Sequence, residues 1–333
     1  MYKLAKPLFI HCQSPMHVGS GSDLGLVDMP IQRESHTGFP KIEASSLKGA
    51  IRENFEGKAT EEKDWLDIQL AFGYDKDGLP KVKDKDGKEI SFEDKHFKDS
   101  KDRDYSGALA FSDARLLLFP VKSFKGIFAY VTCPQVLTRF KNDLKICGDS
   151  DEKVSELNKA IKLANIENSV ADKEYLCTQQ GNDQLQVILE EYAFDVSQKE
   201  NTVSIASELS QYLEIHLMEK LIILPDTVFS DFVKLFTEVI TRNKINNTTG
   251  TVAKGALFTE EYLPAESVLY SLVFSNSIFT ADEKRKGSFT KDEKESEEQK
   301  VQNYFAEKIA AKNGYMQIGG NSTLGKGIVK TKF

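Results

Sequence analysis

Residues 2–14 (YKLAKPLFIHCQS) are rich in β-forming apolar side chains and close on polar ones. They predict a strand that feeds a long loop carrying Gly19, Gly21 and Gly25. Leu47, Ile51 and Phe55 recur every fourth residue, which predicts a helix over 44–55 with Ser45 or Ser46 as its cap. Ala108–Phe119 and Ile127–Thr132 read as two strands joined through the turn-like 120–126, a hairpin or a β-corner. Pro134 opens a helix with Val136, Leu137, Phe140 and Leu144 at helical spacing, and Gly148 stops it. A helical stretch at 152–164, a strand over Leu185–Val196 and helices at 204–220 and 226–241 follow. Alternation around Asn-Thr-Thr-Gly makes 242–262 a β-hairpin by its turn chemistry. Ser267–Ser275 is a further strand and 299–312 a helix, while Tyr315–Gly320 and Lys326–Phe333 bracket a final glycine loop.

Strand, helix, two strands, helix, strand, interrupted by insertions, is the order of an α+β core of ferredoxin or RNA-recognition type. That topology offers a sheet face to nucleic acid, although the paired aromatics of the RNA-recognition consensus are absent. The chain has 333 residues, 40% of them hydrophobic and 29% charged, so it is read as one elaborated domain over 1–333. No apolar run reaches the ~18 residues of a membrane helix, and the N-terminal residues read as a strand rather than a leader, which points to the cytoplasm. Cys12, Cys133, Cys147 and Cys177 are widely spaced with no C-x-x-C, against both a zinc knuckle and a disulfide framework. The net charge of −7 neither calls for a polyanionic partner nor excludes one. Much of the charge lies in two stretches that read as solvated insertions: 75–104, with 9 basic and 10 acidic residues, and 282–300, with 13 charged residues.

Gly320-Asn-Ser-Thr-Leu-Gly325-Lys326-Gly327 misses a phosphate-binding P-loop by one residue, and the strand-like 328–333 that follows provides no helix N-terminus for a phosphate. Either a tight turn or a backbone-contacting glycine loop flanked by Lys326, Lys330 and Lys332 fits the same residues. The densest polar constellation spans 13–54: Gln13, His17, Ser20, Ser22, Asp23, Asp28, Gln32, Arg33, Glu34, His36, Ser45, Ser46, Lys48 and Arg52. RNA strand cleavage needs a base for the 2′-hydroxyl, charge to steady the phosphorane and a proton for the leaving oxygen. His17 suits the first role and Arg33 or Lys48 the second, while Asp28 suits recruitment of hydrated magnesium. Each has a plainer alternative: a backbone-bonded His17, a turn residue at Asp28, and a solvated Lys48 and Arg52 sharing one helix face.

The run from His17 through Asp28, Gln32, Arg33 and His36 to Pro40, followed by Ser45-Ser-Leu-Lys48-Gly-Ala-Ile-Arg52, resembles a known family. So do the blocks Ser112–Ser123, Val131–Phe140, Thr249–Pro264 and Gln317–Gly327. The family is that of the backbone (fourth) subunits of type III-B CRISPR (Cmr) effector complexes, within the RAMP superfamily. The resemblance implies a modified RNA-recognition fold with a thumb-like hairpin, placed at 242–262. It implies copies stacked head to tail on a guide RNA with other Cmr subunits, and cleavage of complementary target RNA at regular intervals with a divalent metal, Mg or Mn. Asp28 matches the residue on which cleavage depends and the metal-binding position. His17 and one of Glu260 or Glu261 match assisting positions. Gln32, Arg33, Lys48, Arg52, Gly319, Gly320, Gly325 and Lys326 are the implied RNA contacts. A non-catalytic RNA-binding subunit and a stand-alone guide-processing endoribonuclease are the rival readings.

Overall fold

The computed structural model describes residues 3–22, 25–75, 78–97, 106–148, 152–180, 184–280 and 283–333. Its principal elements are β1 (Leu4–Cys12), α1 (Ala44–Glu56), β2 (Ala114–Lys122), β3 (Phe128–Thr132), α2 (Pro134–Ile146), β4 (Gln184–Leu189), β5 (Tyr192–Gln198) and α3 (Glu200–Leu213). They continue through β6 (Leu221–Ile223), α4 (Asp226–Leu235), β7 (Glu238–Ile245), β8 (Val252–Tyr262), β9 (Val268–Ser275), α5 (Glu297–Ala310), β10 (Tyr315–Gln317) and β11 (Ile328–Lys332).

At the centre of one large sheet the strands run β11-β1-β9-β2, each neighbouring pair antiparallel. The chain passes from β1 through α1 to β2, and from β9 through α5 to β11, which is a split βαβ arrangement of ferredoxin type. The expected core topology is present, but its second half comes from 268–332 rather than from 127–196. Strand β3, helix α2 and strand β6 instead extend the sheet outward from β2, β3 and β6 pairing in parallel. Helices α1 and α5 share a layer, with the Phe55 and Phe305 rings 5.9 Å apart. On the other sheet face Phe9 of β1 meets Phe140 of α2 and Tyr212 of α3, at 5.9 and 4.9 Å. That face is therefore roofed by helices at β1 and cannot serve there as an open platform for bases.

Local sequence explains most elements. In α1 the predicted Leu47, Ile51 and Phe55 are all buried. Neither Ser45 nor Ser46 caps it: Glu43 holds the N-cap position without a side-chain bond, and the Ala44 N–H donates to Asp113 Oδ1 at 2.9 Å. Pro134 begins α2, and Gly148 follows it at φ +72°. Three expectations are corrected. Residues 185–196 form two strands, β4 and β5, because Glu190 turns the chain at φ +51°. The helix expected over 204–220 spans 200–213. That expected over 226–241 ends at Leu235, and β7 starts at Glu238. The charged stretches are not simply solvated: Val82, Phe92 and Phe97 build a small core within 78–97, and Phe289 is fully buried in the main core.

Candidate active site and RNA interface

The hairpin β7–β8 forms a two-stranded sheet of its own, apart from the large sheet, and the outer end of β7 is exposed. At its root the second edge of β8 is covered by the long loop after β1. Met16 exchanges backbone hydrogen bonds with Leu263, and Met29 accepts from Glu261 while donating to Thr259. The glycine loop between β10 and β11 closes the assembly, with the Gly320 N–H donating to the His17 carbonyl at 2.8 Å. One strand thus gathers residues separated by some 300 positions in the chain, which is how His17, Asp28, Glu260 and Gly319 come to share a neighbourhood.

His17 is buried, and its Nδ1 lies 2.7 Å from the Glu261 carbonyl oxygen. A carbonyl only accepts, so Nδ1 carries the hydrogen and neutral imidazole keeps its lone pair on Nε2. Two glycines pack closely on His17: a Cβ on Gly19 would stand 2.8 Å from Nε2, and one on Gly319 would strike the His17 carbonyl at 2.4 Å. The Tyr262 ring lies 5.5 Å away. Its hydroxyl donates to Glu260 Oε2 at 2.6 Å and accepts from Asn321 Nδ2 at 3.0 Å. Arg242 pairs with Glu260 and with the Tyr262 hydroxyl. Burial alone would raise the Glu260 pKa, but the bonds from Tyr262, Asn321 and Arg242 hold it below the ordinary range. Glu260 is therefore a fixed anion, while Lys326 Nζ lies 4.9 Å from the Tyr262 ring centroid.

Strand alternation turns Glu261 away from Glu260. Its Oε1 accepts from Thr237 and Arg33 and its Oε2 from the Ile31 N–H, so both oxygens are engaged in holding the loop to the hairpin. Asp28 differs from both glutamates in being exposed. Its Oδ2 accepts from the Thr259 N–H at 2.7 Å and the Thr259 hydroxyl at 2.9 Å, which hold its pKa below the ordinary value. Among the described residues no three His, Cys, Asp or Glu side chains cluster to hold a metal. A lone exposed carboxylate fits an ion that takes one or two carboxylates and completes its shell with water and substrate phosphate, as magnesium does. Asp23 of the original constellation lies outside the described residues.

The implied RNA contacts divide into committed and open groups. Arg33 Nη1 donates to the carbonyls of Gly38 and Val233, at 2.7 and 3.1 Å, so its guanidinium knits protein together. Gln32 spends its amide on Gly19, Ser46 and the Glu43 N–H. Arg52 bonds Glu56 at 2.7 Å and the Gly73 carbonyl at 3.0 Å. Lys48 is different: half-buried, its pKa is lowered by burial and then by Arg52, and it has no acidic partner among the described residues. Next to it, Gly49 opens onto empty space, as does Gly325 in the terminal loop. The near-P-loop motif folds as a short turn between left-handed Asn321 and Gly325, with strand β11 after it.

Arg242, Thr259, Tyr262 and Asn321 belong to this site and were not singled out from the sequence. The signal available was the period of two in β8, which puts Glu260 and Tyr262 on one face.

The family model of the RAMP superfamily matches residues 9–330. The CRISPR system Cmr endoribonuclease Cmr4 of Pyrococcus furiosus is 35% identical over 329 residues, covering 96% of this chain and 92% of its own. The CRISPR system CMR subunit Cmr4 of Saccharolobus solfataricus is 26% identical, covering 100% and 97%. The crystal structure of oligomeric Cmr4 from Pyrococcus furiosus matches with a TM-score of 0.63 at 27% identity, over 100% of this chain and 98% of that one. A chain of the type III-B Cmr-β complex bound to cognate target RNA matches with a TM-score of 0.70 at 22% identity, over 99% and 97%, and so shares the fold.

Proposed function

This chain belongs to the RAMP superfamily, and on that premise we propose that it is a CRISPR effector backbone subunit which stacks with its own copies along a guide RNA and cuts complementary target RNA. The observation that carries the reading is Asp28: an exposed carboxylate, pinned at the root of the hairpin, beside the strand that also carries Glu260 and Tyr262.

In this proposal the hairpin is the thumb that opens the guide–target duplex, at a cost of a few kcal/mol for unstacking. An unstacked nucleotide can reach the in-line geometry that a regular A-form helix forbids. His17 Nε2 takes the 2′-hydroxyl proton, the 2′-oxygen attacks the adjacent phosphorus, and the P–O5′ bond breaks as the 5′-oxygen takes a proton from solvent water, to which His17 later returns its own. Glu260, Arg242 and Asn321 fix Tyr262 and the wall around His17. A divalent ion held at Asp28 would supply positive charge to the phosphate oxygens. Lys48 and the open glycines at 49 and 325 face the guide backbone, where contacts with phosphate and 2′-hydroxyl are independent of guide sequence. Base pairing supplies the specificity. No helix among the described residues is long and apolar enough to cross a membrane, and the proposal places the complex in the cytoplasm.

The test is an effector complex reconstituted with Asp28→Asn and presented with labelled complementary RNA. Guide retention should be normal and cutting abolished. Unchanged cutting would leave a non-catalytic RNA-binding subunit, and cleavage of a repeat hairpin by the isolated chain would mark a stand-alone processing enzyme.

A further inference from the structure

Asp28 lies on a loop, where a side chain has several rotamers within reach and where a catalytic carboxylate would lose effectiveness. Two hydrogen bonds remove that side-chain freedom, a third fixes the Asp28 backbone, and all three end on one residue of the hairpin. The Thr259 N–H donates to Asp28 Oδ2 at 2.7 Å, the Thr259 hydroxyl donates to the same oxygen at 2.9 Å, and the Asp28 N–H donates to the Thr259 hydroxyl oxygen at 3.0 Å. The hydroxyl gives its single hydrogen to the carboxylate and receives the backbone N–H on a lone pair, so its orientation is fully determined. The register is set from both sides as well. Thr259 pairs with Thr241 across the hairpin, and its carbonyl accepts from the Met29 N–H at 3.0 Å.

We propose that Thr259 is the positioning residue for the cleavage carboxylate: its hydroxyl clamps Asp28 to β8, so that the hairpin which displaces the target strand also carries the group that acts on it. The proposal rests on the reading of Asp28 given above. Its content is mechanical. A cut beside the displaced nucleotide requires the carboxylate and the displacing element to move as one body, and the Thr259 hydroxyl is the side-chain joint between them.

The test uses the reconstituted complex with Thr259→Val, Thr259→Ser and Asp28→Asn, measuring single-turnover cutting at saturating target and, separately, target affinity. Valine keeps the branched shape and the strand preference of threonine but has no hydroxyl, whereas serine keeps the hydroxyl. Thr259→Val should slow cutting by about tenfold or more with target affinity unchanged, and Thr259→Ser should stay within about threefold of the parent. If valine hinders assembly, Thr259→Ala against Thr259→Ser makes the same comparison. Cutting at the parental rate by Thr259→Val, while Asp28→Asn is inactive, overturns the clamp alone. Equal losses in the valine and serine variants, or a loss that follows target affinity, also overturn it. Normal cutting by Asp28→Asn overturns the functional reading and the clamp together.

Discussion

Lys48 and Glu261 are charged side chains in opposite surroundings, one without a counter-charge among the described residues and one fully partnered. Lys48 stands half-buried one helical turn from Arg52, with no carboxylate among the described residues to balance it. Such a charge is costly until an anion arrives, which favours a backbone phosphate as its partner. Lys48→Ala should weaken guide binding evenly across guide sequences and reduce the slope of log K against log salt by about one contact, read by binding titrations at several salt concentrations. Loss confined to particular guide sequences would argue against it. Glu261 is the opposite case, enclosed by Arg33, Thr237 and the Ile31 N–H. Glu261→Ala leaves Arg33 without its counter-charge and should destabilise the chain by about 3 kcal/mol, seen as a lower midpoint in chemical denaturation. The pair Glu260–Glu261 was ambiguous in the sequence because the two residues are adjacent. Only the register of β8 assigns one to the Tyr262 cluster and the other to the loop.

Among the elements, those with a local cause were legible. The four-residue spacing of Leu47, Ile51 and Phe55 gave α1, Pro134 and Gly148 gave α2, and the turn chemistry near Asn246–Gly250 gave the hairpin. Where the pattern served two structures, the reading failed. Phe229, Phe232, Val233 and Phe236 keep helical spacing into Val239 and Ile240, yet the β-branched Val239, Ile240 and Thr241 pair with β8 as a strand. The choice of β9 rather than β3 as a central strand depends on pairing across some 260 residues, which periodicity cannot carry. The terminal glycine loop permits a sharper test. Gly319 combines φ +86° with a Cβ clash at 2.4 Å, whereas Gly325 has φ +72° and open space. Gly325→Ala should therefore cost only the ~1–2 kcal/mol of a left-handed alanine, and Gly319→Ala clearly more, in denaturant unfolding of the isolated chain. At the start of α5, Glu298 is buried; burial would raise its pKa, but Lys3 and Ser277 hold it down at about 2. A depressed carboxylate stabilises above its unfolded pKa of ~4.3, and the contribution fades as pH falls toward the folded value. Thermal stability should fall more steeply between pH 5 and 2 in the parent than in Glu298→Gln; parallel curves would contradict this.

For the molecule as a whole, helices cover the sheet at β1, so the proposal assigns RNA to the edges: the loop after β1, the first helix, the glycine loop and the hairpin. These parts come from both ends of the chain, and they meet because β1 and β11 are neighbours in the sheet. The hairpin beyond the root adds little to the core, since the outer half of β7 is exposed. Replacing 244–251 with a short turn should leave the melting temperature nearly unchanged while blurring the positions of target cuts, as mapped on sequencing gels. A large loss of thermal stability would show instead that the hairpin is a structural prop. The central claim is that each copy cuts, with its own Asp28, the target segment opened by its own hairpin. Complexes assembled from mixtures of parental and Asp28→Asn subunits test it most directly, by quantifying every product of one labelled target RNA. The account predicts that each internal cut declines in proportion to the fraction of variant subunits while target binding stays constant. Cuts that persist undiminished in complexes built wholly from the variant would contradict it.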